Sequence, residues 1–169
     1  ILLMEKKDKE IYKGLSDTDA LTGLFNRRAF QAAVDETLLK RIVGVFIFID
    51  VDNFKDYNDK YGHANGDLCL KHFAAAMKKC FPKDSILGRY GGDEFVVYIK
   101  NAASDDAHRY MDEFQREISH LIMSGGEHVT VSASAGGVAF IGGRGGFCFA
   151  VQKCGQHALR CETKWKRHF

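Results

Sequence analysis

The sequence predicts an α/β fold of the α+β sandwich kind, with helices covering the faces of a sheet. Three observations carry this. Ile42-Val43-Gly44-Val45-Phe46-Ile47-Phe48-Ile49 is apolar at every side chain it has, the mark of a strand buried on both faces. Ile86 to Arg89 and Phe95 to Ile99 flank Gly91-Gly92, as the two strands of a hairpin flank their turn. Between these stretches, Leu68, Leu70, Phe73, Ala74 and Met77 repeat with the period of a helix face.

The remaining elements follow in order. Met4 to Leu15 reads as a charged helix with Met4, Ile11 and Leu15 on one face; a solvated helix end and the tail of a coiled coil from an upstream module both fit. Ser16-Asp17-Thr18-Asp19 supplies caps and a turn. A helix then starts near Asn26 and runs to about Arg41, with Phe30, Val34 and Leu38 inward. The buried strand ends at Asp50-Val51-Asp52, and residues from about Asn53 to Tyr61 form a short helix and turn. Gly66 to Cys80 is the next helix, broken by Phe81-Pro82-Lys83-Asp84. After the hairpin come a helix from Ala103 to Met123, a strand from Val129 to Phe140, a loop at Gly142 to Gly146 and a last helix from Phe147 to Lys166.

Bulk properties bound the function. A chain of 169 residues suits one domain with a sizeable core, and no internal repeat or boundary divides it. Hydrophobic residues at 46% and charged residues at 27% exclude a disordered chain. A formal charge of +2 is too small for a nucleic-acid surface. No apolar run reaches the roughly 20 residues of a membrane helix. Five cysteines, an odd number without framework spacing, read as reduced thiols of a cytosolic domain. The chain opens at Ile1 with no signal peptide, which reads as a fragment of a longer protein.

Chemistry concentrates in two acidic clusters. Asp50-Val51-Asp52 follows the most buried strand, and Asp93-Glu94 follows the two glycines of the hairpin. Carboxylates converging where buried strands emerge raise one another's pKa, and a hard cation relieves that cost. Glycine turns let a ligand approach the backbone closely. With Lys55 nearby, these are the parts that phosphoryl transfer uses. Spacing alone favours a plain surface turn, since Asp and Gly are common turn residues. No Walker-A pattern is present, which argues against a P-loop enzyme. Cys154, His157 and Cys161 share a helix face but read as small packed residues rather than zinc ligands. The basic end, Lys164 to His168, reads as a solvated helix terminus.

Longer stretches carry a family resemblance. Arg89-Tyr90-Gly91-Gly92-Asp93-Glu94-Phe95 resembles the signature of the GGDEF family, the diguanylate cyclases. Asp19-Ala20-Leu21-Thr22-Gly23-Leu24-Phe25-Asn26-Arg27-Arg28 resembles that family's opening motif. Asp50-Val51-Asp52-Asn53-Phe54-Lys55, Asn58, Gly62-His63 and Gly66-Asp67 resemble its central motif, and Val131 to Gly136 its last core strand. The resemblance spans about Asp17 to Lys164 in order.

The resemblance implies a palm-like nucleotide cyclase fold with a mostly antiparallel central sheet, residues 17–169 being the catalytic domain and residues 1–16 the end of a signalling helix. It implies that Mg²⁺ or Mn²⁺ is held by Asp50, the Val51 carbonyl, Asp93 and Glu94, with Glu94 also placed to activate a 3′-hydroxyl. It implies that Asn58 and Asp67 read guanine and that His63 adds a substrate contact. Lys55 would offset phosphate charge, and Asn53, Phe54, Gly91 and Gly92 would line the phosphates. The activity implied is condensation of two GTP molecules into cyclic di-GMP across a two-fold homodimer, in the cytoplasm, under an upstream sensor and without nucleic-acid or membrane contacts. Two departures stand out. Pro82 and Ser85 occupy the positions of the family's inhibitory Arg-x-x-Asp site. The C-terminal motif reads Ala158-Leu159-Arg160, with Thr163-Lys164 and Arg167 out of the usual spacing, so Lys164 or Arg167 is the candidate for the terminal phosphates. The alternative implied is a catalytically weak domain that binds GTP and regulates a neighbour.

Overall fold

The computed structural model describes residues 17–119 and 130–140. The helices expected at Met4 to Leu15 and Phe147 to Lys166, the glycine loop, the Cys154, His157 and Cys161 face, and Lys164 lie outside them. The described residues run β1 (Phe25–Asn26), α1 (Arg27–Leu39), β2 (Gly44–Val51), α2 (Phe54–Tyr61), α3 (His63–Cys80), β3 (Ile86–Arg89), β4 (Glu94–Lys100), α4 (Ser104–Ile118) and β5 (Ala133–Phe140).

The strands form one five-stranded sheet in the order β1-β3-β4-β2-β5. All neighbours are antiparallel except β1 and β3, which run parallel with Asn26 beside Arg89. Side chains alternate across a strand, so the apolar run of β2 must be covered twice. Val45, Ile47, Ile49 and Val51 join Phe95, Val97 and Ile99 against α3 and α4. Phe46 joins Val96, Tyr98 and Ile86 against Phe30 and Val34 of α1. On the first face Phe73 of α3 sits between Phe95 and Phe114, with ring centroids 4.6 and 4.9 Å away. Such aromatic pairs add about 0.5–1.5 kcal/mol beyond their burial.

Local signals explain the element ends. Asn26 caps α1, its side chain accepting from the Ala29 N–H at 2.9 Å. In α4, Ala107, Met111, Phe114 and Ile118 lie on one buried stripe.

Several boundaries differ from the sequence expectation. The β2 strand continues through Asp50 and Val51, because β4 and β5 both pair with it there. The α3 helix begins at His63, directly after Gly62, rather than at Gly66. The β5 strand begins at Ala133, since Thr130 to Ser132 lie beyond its described pairing with β2. Cys69 and Cys80 are buried free thiols, and no helix among the described residues is long and apolar enough to cross a membrane.

Candidate active site

The two acidic clusters meet. Asp50 of β2 lies directly opposite Glu94 of β4 in the antiparallel ladder, and the Val51 N–H donates to the Asp93 carbonyl at 3.2 Å. Residues 44 and 42 positions apart in sequence thus share one end of the sheet's central pair. Burial, and then the charges of Asp93, Glu94 and Asp52, push the Asp50 carboxyl up from 3.8 to about 6. Such crowding is the electrostatic condition a bound cation relieves, so the oxygen-rich donor set fits a hard divalent ion. Among the described residues, no three His, Cys, Asp or Glu side chains stand grouped ready to hold a metal. Two of the acidic side chains are engaged elsewhere: Glu94 lies over Gly91, and Asp52 accepts from Ser132 Oγ at 2.6 Å and Ser134 Oγ at 2.7 Å.

The glycine turn is shaped by its neighbours. A methyl group at Gly91 would collide with the Glu94 carboxylate, whereas one at Gly92 would meet open space. The N–H groups of Tyr90 and Gly91 donate to the Glu94 carbonyl at 2.8 and 3.3 Å. Arg89 closes the turn, its Nε and Nη2 donating to the Gly92 carbonyl at 3.1 and 2.7 Å. The same guanidinium pairs with Asp19 at 3.1 Å. Burial pushes Asp19 upward, but bonds from Thr22 and Arg89 outweigh it and hold the carboxyl below its ordinary range. Sequence reasoning gave Arg89 and Asp19 no role of their own. The signal was present only as two motifs, which the parallel β1–β3 pairing sets side by side.

A second group lies along α2 and α3. Asn53 takes a left-handed conformation, φ 53°, and opens α2, whose first N–H groups have no partner within the helix. Phe54 follows, its ring stacked parallel to Tyr57 at 6.3 Å. Asn58 is half-buried, with its Oδ1 buried and unbonded, and it presses on Gly66, where a methyl group would strike that oxygen. Gly66 is thus the α3 residue that meets Asn58, and Asp67 follows it in the chain. Lys55, His63 and Asp67 are exposed.

Comparison with known proteins agrees with this fold. The family model for the diguanylate cyclase GGDEF domain matches residues 16–161. The cyclic di-GMP phosphodiesterase PdeR of Escherichia coli K12 is 40% identical over 102 residues, which are 59% of this chain and 15% of PdeR. The diguanylate cyclase DgcM of the same organism is 30% identical over 132 residues, 76% of this chain and 32% of DgcM. The chain therefore spans less than a third of the length of the one relative and a third of the other. Among solved structures, the diguanylate cyclase SiaD of Pseudomonas aeruginosa, in complex with its activator SiaC, matches with a TM-score of 0.79 at 28% identity, over 94% of this chain and 62% of SiaD. The GGDEF domain of DgcB from Caulobacter crescentus, in complex with c-di-GMP, matches with a TM-score of 0.76 at 23% identity over 86% of this chain and 89% of that domain, which speaks to the fold alone. The chain belongs to the GGDEF-domain family of diguanylate cyclases.

Proposed function

We propose that this domain condenses two GTP molecules into cyclic di-GMP with release of pyrophosphate. The observation that carries the reading is the meeting of Asp50, Asp93 and Glu94 at one end of the β2–β4 ladder. Asp50, the Val51 carbonyl, Asp93 and Glu94 would hold Mg²⁺ or Mn²⁺. When bound, the cation offsets charge on the phosphate oxygens as the leaving pyrophosphate separates. Glu94 takes the proton of the attacking 3′-hydroxyl or completes the cation's ligand set. Lys55 adds positive charge toward the phosphates, and Asn53, Phe54, Gly91 and Gly92 form the turn surfaces along which they lie. Lys164 would reach the terminal phosphates.

Base selection follows from donor and acceptor chemistry. The unbonded Asn58 Oδ1 and the Asp67 carboxylate are both acceptors. Guanine presents N1–H and N2–H donors along its pairing edge, while adenine presents an acceptor at N1. Adenine would leave a buried oxygen unpaired, which costs about 1–3 kcal/mol. His63, exposed at the start of α3, supplies a further contact.

Turnover calls for a second copy facing the first, because each domain offers one such half-site. A regulatory reading stands beside the catalytic one, since a relative 40% identical over 102 residues is named a phosphodiesterase. In that reading the domain binds GTP and acts on a neighbouring domain. Incubation with GTP and Mg²⁺ separates the two: cyclic di-GMP forms and Asp93→Ala abolishes it if the cyclase reading holds. Tight GTP binding with no product under enforced dimerisation selects the regulatory one.

A further inference from the structure

Asp52 is the acidic residue in the Asp-Val-Asp stretch whose carboxylate is bonded on both oxygens by serines. Each of its two oxygens accepts a hydrogen bond from a serine on the neighbouring chain segment, Oδ2 from Ser132 at 2.6 Å and Oδ1 from Ser134 at 2.7 Å. Its backbone N–H donates to the Ser132 carbonyl at 3.0 Å. Three bonds therefore converge on one residue where β2 leaves the sheet. The residue before it is Val51, whose N–H is tied to the Asp93 carbonyl and whose carbonyl would face the cation. The residue after it is Asn53, held left-handed at φ 53° to start α2. The strand end and the phosphate turn thus depend on the same anchor.

From this geometry we infer that Asp52 is a positioning residue: with Ser132 and Ser134 it staples the end of β2 to β5, and so fixes the Val51 carbonyl and the Asn53 turn. The inference rests on the cyclase reading only for its effect on turnover. Charge alone does not explain the arrangement, because both Asp52 oxygens already serve hydroxyl donors on the segment leading into β5. Hydrogen bonds to a charged acceptor are the stronger kind, so the two serines hold the turn more firmly than they would a neutral group. Residues that orient ligands in this way commonly matter about 10- to 100-fold in metal affinity.

The test compares Ser132→Ala, Asp52→Ala and Asp52→Asn in the whole chain. Ser132 is exposed and precedes β5, so its loss leaves the sheet intact. Two quantities are read: amide hydrogen exchange at Val51 and Asp52 without cation, and the Mg²⁺ concentration giving half-maximal turnover. The staple predicts that Ser132→Ala speeds exchange about tenfold, the change expected from losing one hydrogen bond, and that Asp52→Ala, which loses two, speeds it further. Both also raise the Mg²⁺ requirement about tenfold. Asp52→Asn falls between Asp52→Ala and the unaltered protein on both, since an amide still bonds the two serines but without the charge. Unchanged exchange in Ser132→Ala overturns the staple. So does an Asp52→Asn protein as damaged as Asp50→Asn, which would make Asp52 a ligand. If the unaltered protein makes no cyclic di-GMP, the cyclase reading falls, and the exchange comparison alone still decides the staple.

Discussion

At the scale of single residues, the site trades stability for charge. The Asp50 carboxyl rises from 3.8 to about 6, first through burial and then through Asp93, Glu94 and Asp52. A group whose pKa is raised on folding contributes stability that is present below its unfolded value and lost as pH rises through its folded value. In cation-free protein Asp50 therefore opposes folding above about pH 6 and not below about pH 4. Asp50→Asn should raise the melting temperature in chelator at about pH 7.5, with the gain fading toward about pH 4. A lower melting temperature at the higher pH would reject the crowded-charge account. The two glycines separate in the same way. Gly91→Ala must displace the Glu94 carboxylate, so it should cut turnover at least about tenfold. Gly92→Ala meets open space and should leave stability within about 0.5 kcal/mol by urea unfolding. Asp50 and Asp93 were legible in the sequence because strand ends and glycine turns announce themselves locally. Asp52 was not separable from Asp50 by spacing, since what turns it aside, Ser132 and Ser134, lies 80 and 82 positions away.

At the scale of elements, the hairpin carrying Asp93 and Glu94 is held from outside. Arg89 bonds the Gly92 carbonyl on one side and Asp19 on the other, and Lys78 of α3 donates to the Thr22 carbonyl at 3.3 Å. The turn at Asp19 to Leu24 is thereby tied to both the hairpin and α3. Lysine has one ammonium in place of a planar fork and cannot hold both partners at once. Arg89→Lys should cost about 1–3 kcal/mol in urea unfolding, given that only 15% of the Arg89 and 24% of the Asp19 side chain is exposed. It should also lose turnover at temperatures where the protein is still folded; full activity with lowered stability would mean the bridge only braces the fold. Element types were readable from periodicity: the doubly covered β2 and the α3 stripe stand where expected. Boundaries were not, because tertiary pairing extends β2 over Asp50 and Val51, and Gly62 starts α3 three residues early.

At the scale of the whole molecule, the sheet order was the part hidden from sequence. Nothing local says that the two-residue β1 lies parallel to β3, yet that pairing sets the Asp19 turn beside the glycine hairpin. The β2–β4 pairing leaves the carboxylates at one end of the sheet, which in the cyclase reading makes a single half-site. Joining two GTP molecules needs the 3′-hydroxyl of each to reach the α-phosphate of the other, which one half-site cannot arrange. A two-fold pair solves this because each copy offers the same surface to its mate. Binding and turnover should then respond differently to protein concentration. GTP affinity per chain, measured with a non-reacting analogue, should be independent of it, since each half-site binds alone. Specific activity should rise roughly in proportion to concentration while the chain is mostly monomeric and level off once dimers dominate, as mass action requires. Fusion to a parallel coiled coil should remove the dependence by making the pair permanent. Specific activity that stays flat on dilution far below the concentration where light scattering sees monomers would show that one copy suffices, and the two-fold mechanism would be wrong.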